Sequence, residues 1–443
     1  MIALLFLGAA MVLGGGGSSA PLSELILQTF AALALAAFVL VPDEPQPSQP
    51  FPGSLVWIAG LVIAVPALQL VPLPPGIWHA LPGREAEAAA LALVGRQDVW
   101  MPWSISPART FASLLSVLPP LLAMLMAASL ARPGREWLVA GIAAIALVSV
   151  LLGTLQVSAG ESGMWRLYGP VNLGYINGFQ ANRNAQADVL LVGLVALAAA
   201  TASWRINYAG GAARWSALGL SLVIILACVL TGSRTGIVLI PVALVFSLVI
   251  WRPHLLRPGY LPVAIVGSMA VAGASLLVMR SNRALARVLD RFTFEGEFRL
   301  ELWKDTLPAI AAHWPMGSGM GTFRSAFLPF ERLEVVDQTW PVRAHNDYLE
   351  LLLEAGLPGA LALIVIVAIV VKLGVSAWRG RSGDRALVFF AFAALTIVGL
   401  HAILDYPLRS MALAHLTAIA VGLLAAVNRK GSAGTTETEM ADA

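Results

Sequence analysis

The chain reads as an all-α polytopic membrane protein with about twelve transmembrane helices. Three observations predict this. Of its 443 residues, 58% are hydrophobic. Only 12% are charged, against roughly 25% in a soluble domain. Apolar runs of about 20 residues, the length that crosses a hydrocarbon core, recur along the chain. Length alone would allow two or three soluble domains, but 1–443 reads here as a single membrane domain. The net charge of +3 includes no basic tract long enough for nucleic acid. The single cysteine, Cys228, lies in an apolar run, so no disulfide framework or thiolate metal site is expected.

Taken in order, the apolar segments span 2–15, 22–42, 54–73, 110–131, 137–158, 185–203, 215–231, 234–251, 260–280, 348–373, 386–403 and 409–427. The first lacks a basic n-region and a clean cleavage site, so it reads as a membrane helix rather than a removed signal peptide. Arginine and lysine set the orientation. Arg132 with Arg135, Arg205 with Arg214, Arg252 with Arg257, the Lys372–Arg385 group and Arg429 with Lys430 fall in one phase if helices alternate. That face is read as cytoplasmic, with both termini inside. The 43–53 loop belongs there too but carries no basic residue. The tail 431–443 is polar and reads as a disordered cytoplasmic segment.

The opposite face, read as periplasmic, then holds 74–109, 159–184, 232–233, 281–347 and 404–408. The 281–347 segment is the longest. It carries a predicted amphipathic helix over Arg299–Ala312, a glycine-rich turn from Pro315 to Gly321, and enough aromatic residues to predict an ordered, packed loop. Trp78, Trp100 and Trp103 suit 74–109 to the membrane interface.

The residues that suggest chemistry all fall on this face. Arg343, His345, Asn346 and Asp347 directly precede the apolar segment from Tyr348. Asp347 and Glu350 stand three apart, so Asp347 is the predicted helix cap. His345 then sits just outside a helix N-terminus, whose dipole disfavours a protonated imidazole. A neutral imidazole there can accept a proton as a general base. The alternative is a polar cap on an ordinary membrane helix. Thr231–Gly236 is a tight turn with Arg234 at its tip, an arginine on the face where the charge bias disfavours one. It reads either as an anion site or as a hairpin with an interfacial arginine. Asn182, Arg183 and Asn184 open the sixth helix after Arg166; either asparagine is a candidate cap, and a guanidinium fork matches phosphate. His401, Asp405, Tyr406 and Arg409 form a further cluster, in which an Asp405–Arg409 ion pair is the expected role of the carboxylate. His415 reads as a packed histidine. Together these residues suit an anionic lipid headgroup, most simply a diphosphate. No zinc spacing or paired-Asp motif occurs, so a metal-independent reaction is expected.

The stretch His345-Asn346-Asp347-Tyr348-Leu349 followed by Glu354-Ala355-Gly356-Leu357-Pro358-Gly359 resembles the signature of the bacterial O-antigen ligase and polymerase superfamily. Asn182-Arg183-Asn184, Thr231–Gly236, Arg299 with Trp303 before Pro315–Gly319, and His401 with Asp405–Arg409 fit it too. The resemblance covers roughly Arg166 to Arg409. It implies a GT-C-like membrane glycosyltransferase of the bacterial inner membrane, acting at the periplasmic face without a cofactor. The implied donor is a glycan on undecaprenyl diphosphate. The acceptor is lipid A–core sugar for a ligase, or another lipid-linked repeat unit for a polymerase, and a chain-length regulator is a further expected partner. The resemblance assigns the base to His345 and the diphosphate to Arg234, with Arg183 and Arg343 as helpers; Asn346, Arg166 and Asn182, beside these in the chain, are further candidate substrate-binding residues. Pro358 stands where many relatives carry another residue. The competing reading is a transporter or flippase of an anionic lipid-linked sugar. Transporters usually place charges and broken helices at the midplane, often in repeated halves; here the charges cluster at helix ends and no repeat is visible.

Overall fold

The computed structural model describes residues 1–19, 21–40, 51–204, 211–252, 283–336, 341–379 and 384–441. The helices, in chain order, are α1 (Ile2–Leu13), α2 (Pro21–Leu40), α3 (Gly53–Gln69), the short α4 (Pro75–Trp78) and α5 (Glu85–Leu93). Next come α6 (Pro107–Ser129), α7 (Arg132–Ser158), α8 (Arg183–Ser203), α9 (Gly211–Leu230) and α10 (Arg234–Trp251). The last are α11 (Arg283–His313), the short α12 (Phe323–Phe327), α13 (Asp347–Arg379), α14 (Arg385–His401) and α15 (Met411–Ala441). Among the described residues, 8 helices are long and apolar enough to cross a membrane, and α1, α3 and α14 are shorter apolar helices. The predicted segment 260–280 lies outside the described residues.

The bundle is built around α8. Its apolar window is 94% buried, whereas that of α13 is 17% buried. α8 therefore meets protein all round, and α13 presents most of its surface outward. Small residues make the central position possible. A Cβ on Gly193 would lie 2.2 Å from the Ala146 methyl of α7, and one on Gly236 of α10 would lie 2.5 Å from the Ala187 methyl. Such small-to-small crossings let helix backbones approach, which is how helices associate without a hydrophobic driving force between them. Gly236 of the Thr231–Gly236 turn is thus explained by packing.

The 281–347 segment docks onto the bundle through backbone. α13 breaks its helical geometry at Gly356 (φ 54, ψ −147). The Pro315–Gly319 turn fits into that break: Ser318 and Gly319 donate N–H groups to the Leu353 and Glu354 carbonyls, and Leu357 donates back to Pro315. Gly317, at φ 81, lies so close that a Cβ there would sit 2.6 Å from the Gly356 nitrogen. Both glycines are required on conformation and on space. Gln69 of α3 closes the seam, donating to the Glu354 carbonyl at 2.9 Å and accepting from the Met320 N–H at 2.8 Å.

Three sequence expectations change in detail. α11 begins at Arg283 rather than Arg299, since the backbone stays helical back through residues whose alternating charges hide the period. The cap of α13 is Asn346, one residue before the expected Asp347: the Asn346 carboxamide oxygen accepts the N–H groups of Tyr348 and Leu349, each at 3.0 Å. Asp347 instead accepts the Leu408 N–H at 3.0 Å. The helix α15 runs on through Ala441, where composition predicts a disordered tail; no proline interrupts it.

At the end of the bundle where α7 begins, Arg132 and Arg135 pair with Asp384, at 3.0 and 3.3 Å. Arg135 is 1% exposed. Two arginines used to orient the chain therefore share one carboxylate.

Candidate active site

The ends of α1, α8, α13, α14 and α15 surround a cavity of about 470 Å³, within the range of ligand pockets. The titratable residues on its wall are Arg183, Arg299, Arg343, His345, His401, Asp188, Asp405 and Tyr406. Three guanidinium groups thus face a space shared with two histidines and two aspartates.

His345 is held from the chain before α13. Trp303 of α11 donates its indole N–H to the Ala344 carbonyl at 2.9 Å, and Glu350 accepts the Ala344 N–H at 3.1 Å. His345 itself takes a positive φ of 49, a conformation uncommon outside glycine. Its Nδ1 lies 3.1 Å from Asp405 Oδ1. Phe298 and Tyr406 meet the imidazole edge-on, with ring centroids at 6.3 and 5.0 Å. The ring is 28% exposed, so it is seated yet reachable.

Asp405 is anchored on both oxygens. Asn184 of α8 donates to its second oxygen at 2.5 Å. Burial pushes the Asp405 carboxyl up, but the hydrogen bond and charge of His345, with His401 and Arg299, outweigh this and hold it well below the usual carboxylate range. It is a carboxylate at neutral pH, able to fix one imidazole tautomer and stabilise an imidazolium. The Tyr406 hydroxyl is pushed up by burial and by the Asp405 charge, so it stays a neutral phenol.

The expected Asp405–Arg409 pair does not form. Arg409 turns to the acidic stripe of α13 instead, 2.7 Å from Glu354 and 3.2 Å from Glu350. It meets three acidic residues at successive helical turns, which outcompete the neighbour four positions back. Arg343 pairs with Glu350 at 2.6 Å. Arg409 and Arg343 thus neutralise the carboxylates beneath His345.

The remaining candidates divide between the cavity and its supports. Arg183 lies on the wall, with its guanidinium 5.0 Å over the Tyr175 ring. Asn182 also lines the cavity; it caps α8 by accepting the Asn184 N–H at 2.8 Å and hydrogen-bonds Tyr406. Asn346 is the α13 cap described above. Arg166 holds its own loop, donating to the Val171 and Tyr175 carbonyls at 2.9 and 3.2 Å. Arg234 is not among the wall residues. It opens α10 behind the Ser233 cap, in the turn where a Cβ on Gly232 would lie 2.5 Å from the Tyr175 ring and 3.6 Å from Arg183. The turn therefore adjoins the cavity through Tyr175 and Arg183.

Several wall residues escape a sequence reading. Asp188 sits mid-run in an apolar helix; a lone carboxylate in a membrane segment is itself a signal. Arg299 and Asn184 belong to recognisable motifs, yet spacing alone assigns them no partner. Gly15 and Gly16 reach the wall from the N-terminal helix, and nothing in their local sequence announces it. Among the described residues, no group of three or more His, Cys, Asp or Glu side chains is arranged to hold a metal ion.

No curated protein matches the chain. Residues 217–364 match the O-antigen ligase family. That segment contains the Arg234 turn, Arg299, the Pro315–Gly319 turn and the His345 motif, while Asp405 and Asn184 lie outside it. A mostly helical membrane protein with this segment has the character of a ligase- or polymerase-type glycosyl transferase, whose family implies a lipid-linked glycan donor and a glycan acceptor. The match supports the O-antigen ligase and polymerase superfamily, the same one that the His345 motif resembles.

Proposed function

We propose that the protein transfers a glycan en bloc from undecaprenyl diphosphate to an acceptor hydroxyl, with His345 as the general base. The single observation that carries this reading is the His345–Asp405 contact in a cavity faced by three arginines. With Nδ1 bound to Asp405, Nε2 is the nitrogen left to take a proton. The acceptor hydroxyl attacks the anomeric carbon, and its proton passes to Nε2. The new bond forms from the acceptor oxygen to that carbon as the carbon–oxygen bond to the diphosphate breaks. The electron pair leaves on the diphosphate, and attack from the opposite side inverts the anomeric centre. A positioned base contributes about 10²–10⁴-fold, and Asp405 stabilises the imidazolium that forms, as the aspartate does in a catalytic triad.

The arginines take the departing charge. Arg183 and Arg299 are on the wall, Arg343 is partly neutralised by Glu350, and Arg234 lies in the adjoining turn, two residues after Gly232, which packs against Tyr175. Fixed guanidinium donors aimed at developing charge act without reorganisation. The reaction is metal-independent on this reading, since the diphosphate charge is met by arginine. The site opens to the periplasmic face of the bacterial inner membrane, with both termini cytoplasmic and a GT-C-like arrangement of helices. The acceptor is lipid A–core sugar or a second lipid-linked repeat unit.

The test is the surface polysaccharide of a deletion strain, resolved by size and by lipid anchor. Full-length glycan stranded on undecaprenyl diphosphate with bare acceptor identifies a ligase. Single repeats on their acceptor with no long chains identify a polymerase. An unchanged profile would count against both and favour transport of a lipid-linked sugar.

A further inference from the structure

Asp188 and His401 form a second His–Asp pair, their side chains joined at 2.5 Å and both fully buried in the cavity wall. It stands one helical turn from the first. On α8, Asn184 and Asp188 are four apart; at the end of α14, His401 and Asp405 are also four apart. The two sets meet as an antiparallel ladder, Asn184 with Asp405 and Asp188 with His401. The Asp405 N–H also donates to the His401 carbonyl at 2.9 Å, so a shift of His401 moves Asp405 directly.

We infer that the His401–Asp188 pair is a positioning pair for the His345–Asp405 dyad, a role that rests on His345 being the base. As a stability device the pair is poor. Among the described residues, Asp188 Oδ2 and His401 Nε2 have no hydrogen-bond partner, and a half-satisfied buried polar pair is worse than an apolar one. Ionisable residues inside membrane segments are rare and mark function by default. The pair docks the end of α14 on α8, which sets the angle at which Asp405 reaches His345.

His345 is surrounded by charge from every side. Asp405 and Tyr406 face it from the loop after α14, Arg299 from α11 and Arg183 from α8. Arg343 precedes it in the chain, and Asp347 and Glu350 follow in the first turn of α13. A test must therefore leave the net charge unchanged. Asp188→Leu/His401→Met does so, replacing the pair by side chains of similar bulk, an exchange that buried ion pairs commonly tolerate.

The experiment follows diethyl pyrocarbonate modification of His345 against pH, by peptide mass spectrometry on the full chain in detergent. Asp405→Asn sets the scale, because losing the carboxylate lowers the midpoint for His345. The apolar double variant is expected to lower that midpoint by about half a pH unit or more, and to lower kcat about tenfold while the donor KM stays within about twofold. Asp188→Asn/His401→Gln keeps the hydrogen bond and is expected to restore most of the wild-type midpoint. If the apolar variant does not fold, Asp188→Asn/His401→Leu, which also breaks the pair without changing the net charge, carries the same test in the same direction. A wild-type midpoint in the folded variant overturns the inference. Because the midpoint is read without glycan transfer, the two readings fail separately: a wild-type protein that transfers nothing sinks the functional reading, whereas an unshifted midpoint in the apolar variant sinks only the positioning of His345 by this pair.

Discussion

His345 and Asp405 meet at 3.1 Å although 60 residues separate them in the chain. The contact joins the N-terminus of α13 to the loop after α14. Asp405→Asn keeps the shape and removes the charge, and is expected to reduce glycan transfer about 10²–10⁴-fold. His345→Ala removes the proposed base and is expected to leave no measurable transfer. Initial rates with purified, folded protein and a lipid-linked donor check both. Wild-type rates in His345→Ala would exclude it from the mechanism.

Arg183 and Arg299 lie on the cavity wall, so Arg183→Ala and Arg299→Ala should weaken lipid diphosphate binding. Arg234→Ala should weaken it more than Arg234→Lys, because lysine keeps the charge and loses the fork. Equilibrium binding of the lipid in nanodiscs reads all four. Wild-type binding by both Arg234 variants would leave that residue a purely structural part of the turn.

The Asp405 carboxyl is held below the usual range, so it contributes stability that is present above its unfolded value of about 3.9 and is lost as pH falls through the lower folded value. Melting temperatures of the wild type and Asp405→Asn should therefore still differ at pH 5 as they do at pH 7. The gap should close only in stronger acid. A gap that closes between pH 7 and pH 5 would mean that the carboxyl is not depressed.

Gly356→Ala should lower stability by about 3 kcal/mol, from backbone strain together with overlap. The added Cβ would lie 2.2 Å from the Pro315 carbonyl oxygen. Gly317→Ala should act through the same contact, so the double variant should be less destabilised than the two losses added. Thermal unfolding in detergent gives all three values; strict additivity would place the two glycines in separate contacts.

Chelation should leave the transfer rate unchanged, because the proposed mechanism gives arginines the part a divalent ion would play. Assays with and without EDTA after exhaustive dialysis decide this. Loss of activity that a divalent cation restores would refute the arginine-only reading.

The membrane segments are legible because their apolar length is dictated by the bilayer, whatever their neighbours. His345 and Arg183 are legible because polar groups at the ends of such segments stand out. Partners are not legible. Asp405 could pair with Arg409 four residues on, and only the fold reveals that Glu350 and Glu354 take the arginine and free the carboxylate for His345. The cap at Asn346 was obscured by an adjacent Asp347, which suits the same position equally well. Asp188 stands out as a lone carboxylate in an apolar segment, yet the sequence does not name His401 as its partner, and the local sequence of Gly15 carries no functional signal.

The seam at Gly317 and Gly356 bears on how this protein could be re-engineered. At the two glycines the backbones touch without an intervening side chain, and Gln69 and the Ser318 hydroxyl brace the joint from its edges. The extramembrane segment and the helix that carries His345 at its tip therefore behave as one piece. A chimera that exchanges the segment to change sugar preference should take 315–357 as a unit, with cut points outside it. A cut inside the seam would detach the grafted surface from the base it is meant to serve.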